Sequence, residues 1–206
     1  MTEAVHRAGG RIIAQLWHMG RVVHPSFVDG AQPVSASATT APGHAHTYSG
    51  KQPYTGARPL RTDEIPALLD DFRHAARNAM RAGFDGVQIH AANGYLIDQF
   101  LRDGTNFRND AYGGSIANRV RLLREVTQVV ADTAGADRTG VRLTPNGTDQ
   151  AYATAIRNPY SWRLPRRCRR SALRTSNCAS RRLMVALAHR TGRRLRRRSA
   201  AHSTGC

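Results

Sequence analysis

The 206-residue chain carries 31 Lys and Arg against 14 Asp and Glu, a net charge of +17. The excess is uneven: residues 1–150 hold 16 basic and all 14 acidic residues, whereas residues 151–206 hold 15 Arg, no Lys and no acid. There is no apolar run of about 18 residues and no charged-then-apolar leader, so neither a membrane span nor a secretory signal is expected, and the cytoplasm is the expected compartment. Cys168, Cys178 and Cys206 fit neither zinc-ligand spacing nor a C-x-x-C redox pair.

In chain order, Thr2–Ala8 reads as the end of a helix closed by Gly9 and Gly10, and Arg11–Trp17 as a strand. Strand side chains alternate, which puts Ile12, Ala14 and Leu16 on one face and Ile13, Gln15 and Trp17 on the other. Val22–Pro59 holds Pro25, Pro33, Pro42, Pro53 and Pro59 among many Ser, Thr, Ala and Gly, a density of turn formers that argues against regular elements. His44 and His46 within it, and His18 and His24 before it, have no Cys or carboxylate at ligand spacing, so no metal site is expected.

Thr62–Ala82 is the clearest helix. Thr62 is placed to cap it, Asp63 and Glu64 suit its positive end, and Ile65, Leu68, Leu69, Phe72, Ala76, Ala79 and Met80 form one apolar stripe before Gly83. Phe84–His90 is short, apolar and rich in Val and Ile, as a buried parallel strand is. A polar corner follows, with His90 at the strand end, then Asn93 and Tyr95, then a short helix Tyr95–Arg102. A polar loop, Asp103–Gly114, leads to a helix from Ile116 to Thr133 capped by Ser115, with Ile116, Val120, Leu123, Val126, Val129 and Val130 as its buried face. The last strand is Gly140–Thr144, in which Arg142 alternates against Val141 and Leu143.

The corner is where the chemistry concentrates. His90 and the Asn93 amide can donate to one oxygen and polarise it, and Tyr95 can deliver a proton to a neighbouring carbon. A core histidine beside a packing aromatic accounts for the same residues. Arg142, a charge on a buried strand, needs either a salt-bridge partner or a ligand.

Three stretches in register, GGRIIAQLWHMGR (9–21), VQIHAANGYLIDQFLRDGTNFRNDAYGGSIANRVRLL (87–123) and TGVRLTPNG (139–147), resemble the old yellow enzyme family of FMN-dependent ene-reductases. The likeness covers residues 1–147 and implies an α/β fold, part of a (β/α)8 TIM barrel with active residues at strand C-termini. It implies FMN as cofactor and NADH or NADPH as reductant, the nicotinamide sharing the substrate pocket; no G-x-G-x-x-G run follows a strand. It further implies that Gln15 and Arg142 hold the flavin, that Trp17 walls the substrate pocket, and that His90 and Asn93 bind the electron-withdrawing oxygen of an activated alkene (an enone, a maleimide or a nitro compound). Tyr95 would protonate it. The family lays the segment equivalent to Val22–Pro59 over the active site, which brings Tyr48 and Tyr54 into question as substrate contacts, and its signature loop residues Asn106, Arg108, Asp110, Tyr112, Gly113 and Gly114 read as scaffolding. Three recognisable strands leave two sheet edges open, so weak or absent FMN binding is expected of this stretch alone.

Residues 148–206 break with this pattern. Arg-only runs mixed with Ser, Ala, Thr and Cys, without helical period or interleaved aromatics, read as a basic low-complexity tail rather than a folded domain. That composition is also what a GC-rich coding region yields in the wrong frame. The alternatives to a reductase are therefore a non-catalytic protein binding nucleic acid non-specifically through the tail, or an inactive gene fragment.

Overall fold

The computed structural model describes residues 1–144 and the backbone of Leu183–Val185. The tail is otherwise outside the described residues. Helix α1 (Thr2–Arg7) is followed by strand β1 (Ile13–Leu16). The proline-rich stretch is more regular than its composition predicts: it holds β2 (Val34–Ser35), a hairpin of β3 (His44–Thr47) and β4 (Gly50–Pro53), and β5 (Arg58–Pro59), which lies parallel to β2. Its prolines permit this because Pro53 and Pro59 each stand last in a strand, where a missing N–H interrupts no ladder. His44 and His46 lie exposed on β3.

Helix α2 spans Ile65–Arg81. Thr62 does not cap it; Thr62–Glu64 form a 3-10 turn, the Thr62 hydroxyl donates to Asp110 (3.0 Å), and the Glu64 carboxylate accepts from the Arg61 N–H (2.7 Å). A carboxylate reaching back to a free amide does the capping that the hydroxyl was expected to do. Strand β6 (Gly86–Ala91) then leads through the corner to α3 (Leu96–Leu101). The helix expected over Ile116–Thr133 is broken at Val120 into α4 (Ile116–Arg119), capped by Ser115, and α5 (Arg121–Ala134). The break shifts the buried face: Ile116 is exposed and Val129 half-buried, while Leu122, Leu123, Val126, Thr127, Val130 and Ala134 go inside. Strand β7 is Thr139–Leu143, and β8 is Leu183–Val185.

One sheet runs β1-β6-β7-β8. The first three strands are parallel, with Gln15 opposite Gln88 and His90 opposite Arg142, and β8 is antiparallel to β7. The outer face carries Leu16, Val87, Ile89, Ala91 and Val141, which form one core with Ile65, Leu68, Phe72, Ala76 and Ala79 of α2 and Leu122, Leu123, Val126 and Val130 of α5. Each fully buried Leu, Ile, Val or Phe among them contributes about 1.5–3 kcal/mol. By strand alternation the inner face presents Ile13, Gln15, Trp17, Gln88, His90 and Arg142, and Ile13 and Trp17 are each 49% exposed there.

The 103–114 loop is clamped from within. Arg108 donates to the carbonyls of Ala36 (3.1 Å) and Leu60 (2.6 Å) and pairs with Asp110, while the Asn106 amide donates to the carbonyls of Phe100 (2.7 Å) and Tyr112 (2.8 Å). A Cβ on Gly113 would collide with the Arg108 backbone carbonyl. Gly113→Ala is accordingly expected to destabilise the chain by about 1–3 kcal/mol, measured as a lower urea midpoint; an unchanged midpoint would show that the clamp yields freely.

Candidate functional site

Parallel β/α sheets gather functional groups at strand C-termini. All six residues singled out from the sequence lie on or just beyond β1, β6 and β7: Gln15, His90 and Arg142 are each the last residue but one of their strand, and Trp17, Asn93 and Tyr95 follow the strand ends. His90 is buried at 4% exposure. Around it stand Trp17, ring centroid 5.8 Å away, and Tyr95 at 5.2 Å; Trp17 and Tyr95 meet edge to face at 4.7 Å. The three rings form one aromatic cluster with a polar atom on each member.

His90 Nδ1 is buried and, among the described residues, has no hydrogen-bond partner. An unmet polar atom in such a position costs about 1–3 kcal/mol. Burial, and then the nearby Arg142 charge, hold its imidazole down from 6.5 to about 4, so it is neutral at physiological pH. In unfolded chain the same group binds a proton at 6.5, so between pH 6.5 and 4 the unfolded state takes up more protons than the folded one. The stability that neutral His90 allows is present above pH 6.5 and is lost as pH falls toward 4. His90→Gln is expected to flatten that part of the stability–pH curve measured by urea unfolding; an unaltered slope would contradict the assignment.

Arg142 is half-buried, and among the described residues it makes no hydrogen bond or ion pair. Among the described residues, then, no salt bridge answers for this charge, which stands on the inner face. Gln15 Nε2 donates to Gln88 Oε1 at 2.5 Å. The pair holds the Gln15 amide across the inner face while leaving its own oxygen open. Asn93 adopts a left-handed backbone, φ 54°, which Asn tolerates better than most residues. Its Oδ1 accepts from the Thr144 hydroxyl at 2.7 Å.

The corner is locked from below. Asp98 accepts from the Gly94 N–H (2.8 Å) and pairs with Arg102 (3.0 Å), and Arg102 donates to the Thr144 carbonyl (2.8 Å). Gln99, fully buried, donates to the Gly94 carbonyl (2.7 Å) and accepts from Ser35 (2.9 Å), and the Leu96 N–H reaches the His18 carbonyl (3.1 Å). These bonds tie the segment after β1, the short strand β2 and the corner after β6 into one unit. Thr144, Gln88, Asp98 and Gln99 were not singled out from the sequence. Position at or just past a strand end is the signal that would have found Thr144. Burial pushes the Tyr54 phenol up and the Tyr95 phenol adds to it, which sets Tyr54 within electrostatic reach of the corner.

A cleft of about 700 Å³ opens at the opposite ends of the strands, beside Arg11, Phe84 and Arg138. It holds none of the aromatic cluster.

The described residues thus build a parallel β/α sheet with a polar, aromatic-walled corner at its C-terminal edge. The family model for the NADH:flavin oxidoreductase / NADH oxidase family matches residues 1–157, and the chain belongs to that family. Among solved structures it is similar to an old yellow enzyme homologue from Zymomonas mobilis, 64% identical with a TM-score of 0.70 over 72% of this chain and 42% of that one. It is also similar to morphinone reductase in complex with tetrahydroNAD, 50% identical with a TM-score of 0.68 over 72% and 43%. A curated relative, 12-oxophytodienoate reductase-like protein 2A of Arabidopsis thaliana, is 50% identical over 145 residues, 70% of this chain and 53% of its own length. The chain spans about half the length, or less, of these relatives.

Proposed function

We propose that residues 1–147 form the catalytic part of an FMN-dependent NAD(P)H ene-reductase built on a (β/α)8 barrel, which reduces the C=C bond of activated alkenes such as enones, maleimides and nitro compounds. The observation that carries this reading is the inner-face cluster: neutral His90 packed against Tyr95 and Trp17, three residues before Asn93, with Arg142 opposite it on the next strand and, among the described residues, no hydrogen bond to His90 Nδ1 and no ion pair to Arg142. Residues 148–206 are the basic stretch, of which Leu183–Val185 pair with β7 as β8, and the cytoplasm, where reduced nicotinamide is plentiful, suits the chemistry.

The donor set fits FMN. Gln15 offers an amide and Arg142 a cation to the polar edge of the ring, where Arg142 would stabilise negative charge gained on reduction. When bound, FMN supplies the hydride relay between reduced nicotinamide and the β-carbon of the alkene.

The chain's own residues supply the rest. His90 and Asn93 donate to the electron-withdrawing oxygen, drawing electron density from the alkene so that its β-carbon becomes electrophilic. A neutral imidazole can do this with the one ring nitrogen that carries hydrogen. The Tyr95 hydroxyl gives its proton to the α-carbon, and Trp17 walls the substrate over the corner. Tyr54 borders the same space.

With FMN in large excess and NADPH added, the purified chain is expected to convert 2-cyclohexenone to cyclohexanone slowly, its weak FMN binding limiting the rate, with matching NADPH consumption, followed by gas chromatography and absorbance. NADPH consumption without cyclohexanone at every FMN concentration would sink the reading.

A further inference from the structure

The carboxamide of Asn93 can face its neighbours in two ways, oxygen or nitrogen first, and only one presents a donor to a substrate oxygen. Thr144 stands immediately after β7 and makes two hydrogen bonds to Asn93. The Asn93 backbone N–H donates to Thr144 Oγ1 at 3.2 Å, and Thr144 Oγ1 donates to Asn93 Oδ1 at 2.7 Å. The first bond decides the second. A backbone N–H can only donate, so it occupies a lone pair of the hydroxyl and leaves the hydroxyl proton in need of an acceptor. Among the described residues no other acceptor takes that proton, so the carboxamide oxygen must face Thr144 and its NH2 must face the other way.

We propose that Thr144 is a positioning residue: it sets the polarity of the Asn93 carboxamide, so that Nδ2 rather than Oδ1 is offered to the electron-withdrawing oxygen of the substrate. This rests on the reading that Asn93 binds that oxygen. Thr144 is itself held, because its carbonyl accepts from Arg102 (2.8 Å), Arg102 pairs with Asp98 (3.0 Å) and Asp98 accepts from Gly94 (2.8 Å). The loop of bonds closes on the residue next to Asn93. Without the hydroxyl, the carboxamide is free to turn, and half of its orientations set an oxygen lone pair against the substrate oxygen.

The test is a binding measurement. The dissociation constant of 2-cyclohexenone is read from quenching of Trp17 fluorescence in a Trp162→Phe background, which leaves Trp17 as the only tryptophan. Thr144→Val is expected to weaken binding about tenfold, the loss of roughly one oriented hydrogen bond. Thr144→Ser, which keeps the hydroxyl, is expected to bind within about twofold of the parent. In an Asn93→Ala background, Thr144→Val is expected to cost nothing further. A Thr144→Val variant that binds as the parent does, or that loses the same factor with and without Asn93, overturns the proposal. Asn93→Ala binding as the parent does overturns the underlying reading instead, and the proposal with it.

A second measurement needs no ligand. The Asn93 side-chain amide pair, identified in a ¹⁵N–¹H spectrum by its disappearance in Asn93→Ala, is expected to move in Thr144→Val and to stay in place in Thr144→Ser. An unmoved pair in Thr144→Val overturns the proposal.

Discussion

Tyr95→Phe is expected to lower the rate of alkene reduction by about two to four orders of magnitude, the usual contribution of a positioned proton donor. The substitution keeps the ring, and so its 4.7 Å edge contact with Trp17 and its 5.2 Å approach to His90, and removes only the hydroxyl. Loss should therefore fall on one half of the catalytic cycle. NADPH oxidation with molecular oxygen as acceptor needs no proton delivered to carbon and is expected to stay within about twofold of the parent. Equal losses in both reactions would mean that Tyr95 shapes the corner rather than serving as its acid.

The second large effect is on stability. Asp98 on α3 and Arg102 just past its end are 1% and 3% exposed and form an ion pair. Removing one partner of a buried pair leaves the other's charge without its closest counter-charge and typically costs about 3–5 kcal/mol. Asp98→Asn and Arg102→Met are each expected to fall in that range by urea unfolding, and the double variant Asp98→Leu/Arg102→Met to lose less than the two singles combined. The loss would reach the corner, since Asp98 holds the Gly94 N–H and Arg102 holds the Thr144 carbonyl. Single variants within about 1 kcal/mol of the parent would show that these bonds do not anchor it.

Much of this arrangement is legible in the amino-acid order because short-range rules decide it. The stripe from Ile65 to Met80 specified α2, the Val- and Ile-rich run before His90 specified a buried strand, and two-residue alternation correctly put Gln15 and Trp17 on one face and Arg142 opposite the core. What escaped depends on partners distant in sequence. Thr62 looks like a cap until Asp110, 48 residues on, competes for its hydroxyl. The break at Val120 carries no Pro or Gly to announce it; before it Ile116 is exposed, and after it Leu122 is buried in the core. The strands between Val34 and Pro59 were hidden because prolines at strand ends resemble prolines in loops.

The candidate site divides along the same line. Residue types at the strand ends could be read directly, as could the fact that Arg142 needed a partner. The bonds that orient those residues could not, because Thr144 lies 51 positions from Asn93 and Gln88 lies 73 from Gln15. Side chains that orient others carry no unusual composition of their own, and only the register of β1, β6 and β7 brings them together.

The claim that the inner face of β1, β6 and β7 is a flavin site is tested most directly by titrating the chain with FMN, following the flavin absorbance, beside Arg142→Met. The account predicts a saturable one-to-one complex in the parent, however weak, and a dissociation constant raised at least about tenfold in the variant by loss of the charge beside the ring. Equal affinity in parent and variant would place any bound FMN away from Arg142 and contradict the account.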